Sequence, residues 1–122
     1  MRPPYNLGLL PQIAGEIALG SFREHLRRHV DEVIAEREHL AAALSSLPGV
    51  EVFPSAANLV LIRVADAPAI WRFLVERSVL VRNLDRPGPL AGCLRMTVGT
   101  PAENRRFLAA ITDATDAAMQ QK

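Results

Sequence analysis

Between Ser21 and Leu47 the apolar residues return at three- and four-residue steps: Leu26, Val30, Val33, Ile34, Leu40, Ala41, Leu44 and Leu47. That period predicts one long amphipathic helix whose apolar stripe faces a core. Charged residues fill the opposite face. Glu24 and Arg28, Arg27 and Asp31, and Arg28 and Glu32 each stand four apart, a spacing worth a few tenths of a kcal/mol per pair on a wet helix. Pro48-Gly49 stops the pattern. Upstream, the prolines of Arg2-Pro3-Pro4-Tyr5-Asn6 predict an extended connector. A short helix is expected from Gln12 to about Leu19, ending near Gly20. Residues 1–20 therefore read as a connector with a short helix, and residues 21–122 as the domain proper.

After Pro48-Gly49 the pattern shortens into β-branched runs bounded by turn residues, which predict strands at Val50–Phe53, Ala57–Val64, Val79–Arg82 and Leu94–Val98. The second run is apolar on both faces, as suits a strand covered on two sides. Asp66 is placed to cap a helix from Ala67 to about Arg77, with Pro68 in its first turn and Ile70, Phe73 and Leu74 inward. Thr100-Pro101-Ala102-Glu103 has the form of a capping box with proline at the first helical position, so a last helix starts there with Phe107, Leu108 and Ile111 buried. From the long helix onward the order is α-β-β-α-β-β-α. The expected fold class is α+β, with a small mixed four-stranded sheet and helices packed on one face.

Composition changes this picture mainly by exclusion. A chain of 122 residues with 49% hydrophobic and 22% charged residues and a formal net charge of +1 has the make-up of one ordinary globular domain. No apolar run reaches the length of a membrane span and no signal peptide is recognisable, so a cytoplasmic protein without a membrane partner is expected. Near-neutral charge, six aromatics and basic pairs only at Arg27-Arg28 and Arg105-Arg106, among acids, argue against a nucleic-acid partner. Cys93 is alone among apolar neighbours and reads as an inert buried thiol. Thirteen of the 14 basic residues are arginines and the single lysine is Lys122. No internal lysine nucleophile is therefore on offer.

Arg82 ends one expected strand and Arg95 lies within the next. If those strands are neighbours, the two guanidinium groups converge at one edge of the sheet, where paired donors suit a phosphate or carboxylate. The alternative is that each pairs with a local acid or reaches solvent. Arg63, near a strand end, is expected to be solvated or structural. His25 and His29 share a helix face, a spacing that could hold a metal, but no third ligand accompanies them and they read as surface residues, as does His39. No metal site is expected. Pro87-Gly88-Pro89-Leu90-Ala91-Gly92 lacks the Gly-Lys-Ser/Thr of a phosphate cradle and reads as a loop. No catalytic triad or carboxylate pair stands out.

Several ordered phrases carry a resemblance. Arg2-Pro3-Pro4-Tyr5-Asn6, Leu47-Pro48-Gly49-Val50-Glu51-Val52-Phe53-Pro54-Ser55 with Ala57-Asn58, Val79-Leu80-Val81-Arg82-Asn83, and Cys93-Leu94-Arg95-Met96-Thr97-Val98-Gly99-Thr100-Pro101 with Glu103-Asn104 together resemble the C-terminal part of histidinol-phosphate aminotransferases. These are fold-type I, pyridoxal-phosphate-dependent transaminases, and the match runs from Arg2 to Ile111. The resemblance implies that residues 21–122 form the family's small domain, which closes over a cofactor held by a larger one. It implies that Arg82 and Arg95 bind the substrate's phosphate, in a reaction moving an amino group between histidinol phosphate and 2-oxoglutarate. The family's Schiff-base lysine lies upstream of the Arg-Pro-Pro-Tyr-Asn phrase. This chain alone is thus expected to be inactive, to hold no catalytic residue and not to bind pyridoxal 5'-phosphate. A surface including Leu7, Leu9, Leu10, Ile13 and Ile17 would be covered by a large domain or a homodimer partner, and without it the chain is expected to self-associate. The other readings are a non-catalytic anion-binding or assembly module, or the small domain of a related enzyme such as threonine-phosphate decarboxylase.

Overall fold

The computed structural model describes residues 8–120; the expected connector, Leu7 and Lys122 lie outside the described residues. The chain divides into two compact units, one ending at Glu32 and one beginning at Val33. Among the described residues no helix is long and apolar enough to cross a membrane.

The first unit holds helix α1 (Leu9–Leu19) and the opening turns of α2 (Arg23–Ser45). α1 starts three residues before the expected Gln12. Pro11 occupies its first turn, where a missing N–H leaves no hydrogen bond unmade. At the other end, the Gly20 N–H donates to the Glu16 carbonyl at 2.8 Å. No residue of α1 is buried, and Leu9 and Leu10 are 71% and 79% exposed. The core-facing stripe expected along α2 divides in the same way. Leu40 and Leu44 are buried, whereas Leu26, Val30 and Ile34 stay 41–48% exposed. Amphipathic period shows that a helix face favours cover; whether this chain supplies that cover is a separate matter.

In the second unit α2 is followed by β1 (Glu51–Val52), β2 (Leu59–Arg63), α3 (Ala67–Glu76), β3 (Arg82–Asn83), β4 (Cys93–Thr97) and α4 (Pro101–Gln120). The order is the one expected, but the sheet is antiparallel throughout rather than mixed. Its strands lie in the order β1-β2-β4-β3, with β1 on β2, β2 on β4 and β3 on β4 all antiparallel. The helix between β2 and β3 suggests a parallel pair. The two strands do run in the same direction, but β4 is inserted between them and removes the parallel contact.

One face of the sheet, with Val60 and Ile62 from β2 and Leu94 and Met96 from β4, shares a single core with Leu40 and Leu44, Ile70 and Leu74 of α3, and Phe107 and Ile111 of α4. Leu44, Ile62, Leu74, Leu94 and Ile111 are wholly buried, each worth about 1.5–3 kcal/mol relative to exposure. Phe73 and Leu108 are half-buried, and the Phe73 ring lies under the Arg77 guanidinium at 3.4 Å. Cys93 is buried, as expected.

The third strand is shorter than Val79–Arg82. Val79 and Val81 pack against the core, and the Val81 carbonyl accepts from the Trp71 indole Nε1 at 3.0 Å, so a side chain takes an acceptor that a ladder would use. This segment leaves α3 through a Schellman turn. The Ser78 N–H donates to the Val75 carbonyl and the Val79 N–H to the Leu74 carbonyl, both at 2.9 Å, with Ser78 left-handed at φ 57°. Before β4, Gly92 adopts φ 73°, and a Cβ there would come within 2.5 Å of the Val64 carbonyl oxygen. Only glycine closes the loop at that approach.

Candidate anion-binding site

Alternation along β4 sends Leu94 and Met96 to the core and Arg95 and Thr97 to the opposite face. Register then brings Arg82 of β3 directly opposite Arg95, with Leu61 of β2 on the other side. Directly opposed residues of an antiparallel pair have Cβ atoms about 5 Å apart, so both arginines start from adjacent points on one face. The strands of Arg82 and Arg95 are neighbours, which was the condition for their convergence. Arg95 is half-buried and Arg82 exposed. Neither guanidinium has a hydrogen bond or ion pair among the described residues. Like charges placed opposite each other weaken a sheet unless something neutralises them.

Arg63 shows what a structural arginine looks like in the same sheet. Its Nη1 meets Glu51 Oε2 at 2.7 Å, its Nε and Nη2 donate to the carbonyls of Ala91 and Pro89 at 3.1 and 3.0 Å, and its guanidinium lies 4.9 Å from the Phe53 ring centre. Each of the three guanidinium nitrogens of Arg63 makes a bond, and together they pin the 85–92 loop to β1 and β2. By comparison, ten guanidinium N–H donors of Arg82 and Arg95 remain uncommitted.

Both arginines line an open cleft of about 650 Å³ between residues 78–82, β4 and the first turn of α4. Other charges at its rim are already engaged. Glu103 Oε2 accepts from the Thr100 N–H and hydroxyl, each at 2.8 Å, while the Glu103 N–H donates to Thr100 Oγ1 at 3.4 Å, which is the expected capping box. The Thr100 backbone bond first, and its hydroxyl second, hold the Glu103 carboxyl below the usual carboxylate range. Arg106 Nη2 donates to the Arg77 carbonyl at 3.0 Å and so caps the end of α3.

Asn104 is the positioning residue that sequence reasoning passed over. Only 4% exposed, it accepts from the Gly99 N–H at 2.9 Å through Oδ1, and its Nδ2 donates to the Gly99 carbonyl at 3.0 Å and to Glu36 Oε2 at 2.7 Å. It thereby clips the β4–α4 turn, at one wall of the cleft, to α2. A readable signal existed in an asparagine at the fourth position of a helix whose cap already had its Thr and Glu. Asp85 does similar work on the far side, where its Oδ1 accepts from the Gly92 N–H at 2.7 Å.

The cleft lining supplies positive charge, donors and hydroxyls but no lysine, histidine or cysteine. Paired planar forks of this kind suit an anion, and the buried core residues Met96 and Phe107 also reach the cleft. His25 and His29 lie in the first unit, and among the described residues no group of three metal-ligating side chains forms.

Comparisons with known proteins agree with this architecture. No protein-family model matches the chain. It is 44% identical over 112 residues to histidinol-phosphate aminotransferase 1 of Burkholderia lata, covering 91% of this chain and 31% of that one. It is also 44% identical over 121 residues to histidinol-phosphate aminotransferase 1 of Ralstonia nicotianae, covering 98% of this chain and 31% of the relative. Among solved structures, the histidinol-phosphate aminotransferase from Clostridium acetobutylicum superposes with a TM-score of 0.82 at 18% identity, over 95% of this chain and 36% of that one, a likeness of fold. The chain spans about 31% of the length of the curated relatives it matches. Over that span, the chain is similar in sequence to histidinol-phosphate aminotransferases and in fold to fold-type I aminotransferases, as a fragment of about their C-terminal-domain size.

Proposed function

We propose that this chain supplies the phosphate-anchoring part of a pyridoxal-phosphate-dependent aminotransferase that moves an amino group between histidinol phosphate and 2-oxoglutarate. The observation that carries the reading is the in-register pair Arg82 and Arg95, side by side on one sheet face with no anionic partner among the described residues. A phosphate monoester bridging the two forks would relieve their mutual repulsion and fill donors that otherwise face only water. Arg95, half-buried between Leu61 and Arg82 in register, is the more confined anchor; Arg82, at the edge strand, closes the clamp.

Pyridoxal phosphate supplies the electron sink for amino transfer when bound, and it is joined to its enzyme through a lysine. The described residues contain no lysine and do not fit that role, so no cofactor step is assigned to them. What these residues do is bind and orient the distal phosphate.

The test is binding to the 122-residue chain, followed by calorimetry or by chemical-shift change at the Arg side chains. Histidinol phosphate is expected to bind at least about tenfold more tightly than histidinol, and either Arg82→Ala or Arg95→Ala to weaken it about 10- to 100-fold, as befits a charge-assisted hydrogen-bond pair worth roughly 1.5–3 kcal/mol. Equal affinity for the two ligands, or variants that bind like the parent, would refute the clamp.

A further inference from the structure

On the exposed face of α2, four side chains form a continuous polar line. Arg28 Nη2 lies 3.3 Å from His25 Nδ1, His25 Nε2 lies 3.0 Å from His29 Nε2, and His29 Nδ1 lies 3.2 Å from Glu32 Oε2. This line replaces the expected i,i+4 ion pairs of Glu24 with Arg28 and Arg28 with Glu32, neither of which forms among the described residues. Its ends fix its protons. A guanidinium can only donate, so His25 Nδ1 is an acceptor; a carboxylate can only accept, so His29 Nδ1 carries a hydrogen. In the neutral pair the remaining proton sits on His25 Nε2 and points at the lone pair of His29 Nε2.

We propose that His25 and His29 form a two-imidazole chelate for a divalent transition-metal ion of the copper and nickel class. Metal–imidazole bonds are about 2.0–2.1 Å long, and the two Nε2 atoms, 3.0 Å apart in their hydrogen bond, are near enough to share one ion once the rings turn. Two imidazoles with water in the other positions form a nitrogen and oxygen donor set, which binds Cu(II) and Ni(II) most strongly among the divalent first-row ions. The rings stand edge to face, with centroids 4.5 Å apart and an interplanar angle of 89°. Turning both lone pairs onto one ion draws on the soft terminal torsions of two exposed rings on adjacent turns of one helix. Glu32 is placed where a metal-bound histidine usually finds its carboxylate, on the far ring nitrogen, fixing the tautomer that leaves His29 Nε2 free. The remaining coordination positions are open to water, since the side chains of His29 and Glu32 are 59% and 71% exposed.

Binding has a defined proton balance. The ion takes the lone pair of His29 Nε2 directly. At His25 the proton leaves Nε2 and a proton is taken up at Nδ1, so the ring stays neutral and no net proton is released. The Arg28 hydrogen bond to Nδ1 is lost in exchange. Arg28 therefore opposes the metal, both as a competing donor and as a charge.

The test titrates CuCl2 and NiCl2 separately into the untagged 122-residue chain near neutral pH, read by calorimetry and, for copper, by electron paramagnetic resonance. One ion per chain is expected, copper binding more tightly than nickel, with coupling from two nitrogens in the copper spectrum. His25→Ala and His29→Ala should each weaken binding by at least about tenfold and remove one nitrogen coupling, and Glu32→Gln should weaken it about tenfold with both couplings kept. Arg28→Ala should tighten binding severalfold, which a merely structural role for the line would not produce. Far-UV circular dichroism establishes that each variant keeps its helix. Parent-like affinity in either histidine variant, or a loss in the control His39→Ala as large as theirs, would overturn the chelate.

Discussion

Replacing Asn104 with alanine tests whether a buried amide holds the wall of the arginine cleft. The side chain makes three hydrogen bonds, two to Gly99 and one to Glu36, while being 4% exposed. Truncation leaves the Gly99 N–H without its acceptor in a part-buried turn, at a cost of about 1–3 kcal/mol for an orphaned donor. Glu36 is half-buried, so its carboxylate recovers much of its loss from water and adds only about 1 kcal/mol. The sum, about 2–4 kcal/mol, is a large share of the 5–15 kcal/mol typical of a domain. Urea denaturation should show the midpoint fall with the slope unchanged. Asn104→Asp provides the sharper variant. It keeps the acceptor for Gly99 but sets a carboxylate oxygen against Glu36 Oε2 where a donor stood at 2.7 Å. It should be at least as unstable as the alanine variant at neutral pH and recover toward it in mild acid, as one carboxylate of the pair protonates. A midpoint for Asn104→Ala corresponding to less than about 0.5 kcal/mol would show that the clip does not hold the turn.

Two further outcomes follow from local geometry. Ser78→Gly should stabilise the domain by about 0.5–1 kcal/mol, because glycine removes the roughly 1–2 kcal/mol penalty of a left-handed L-residue and gives back part of it as unfolded-chain entropy; thermal unfolding that moves downward would contradict the assignment. The lowered Glu103 carboxyl contributes to stability when ionised, so its contribution is present at neutral pH and is lost as pH falls through the lowered folded value. Glu103→Gln should flatten that acid limb of the stability curve, and an unchanged limb would show that the cap is not its source.

Period and punctuation made the elements legible: Pro48-Gly49 after the long helix, Asp66 before α3, and Thr100 to Glu103 before α4 all do in the structure what local chemistry predicts. Pairing was not legible, because alternation states which residues share a face and not which strand lies beside which; β4 between β2 and β3 is a long-range choice. For the same reason, the meeting of Arg82 with Arg95 remained conditional until register placed them opposite each other. Asn104 and Trp71 were hidden differently. Each acts through directed polar bonds, Asn104 to Gly99 and Glu36 and Trp71 to the Val81 carbonyl, and no periodic pattern records that direction.

The outermost strands, β1 and β3, are each two residues long. Such short margins offer little free backbone to another sheet, a recognised protection against strand-by-strand growth. Association of this chain with itself should therefore proceed through side-chain burial at the bare apolar positions of α1 and of the turn into α2, where Leu9, Leu10 and Phe22 are mostly exposed. Aggregates formed that way would keep a helical spectrum, dissolve in mild detergent and lack the 4.7–4.8 Å cross-β repeat.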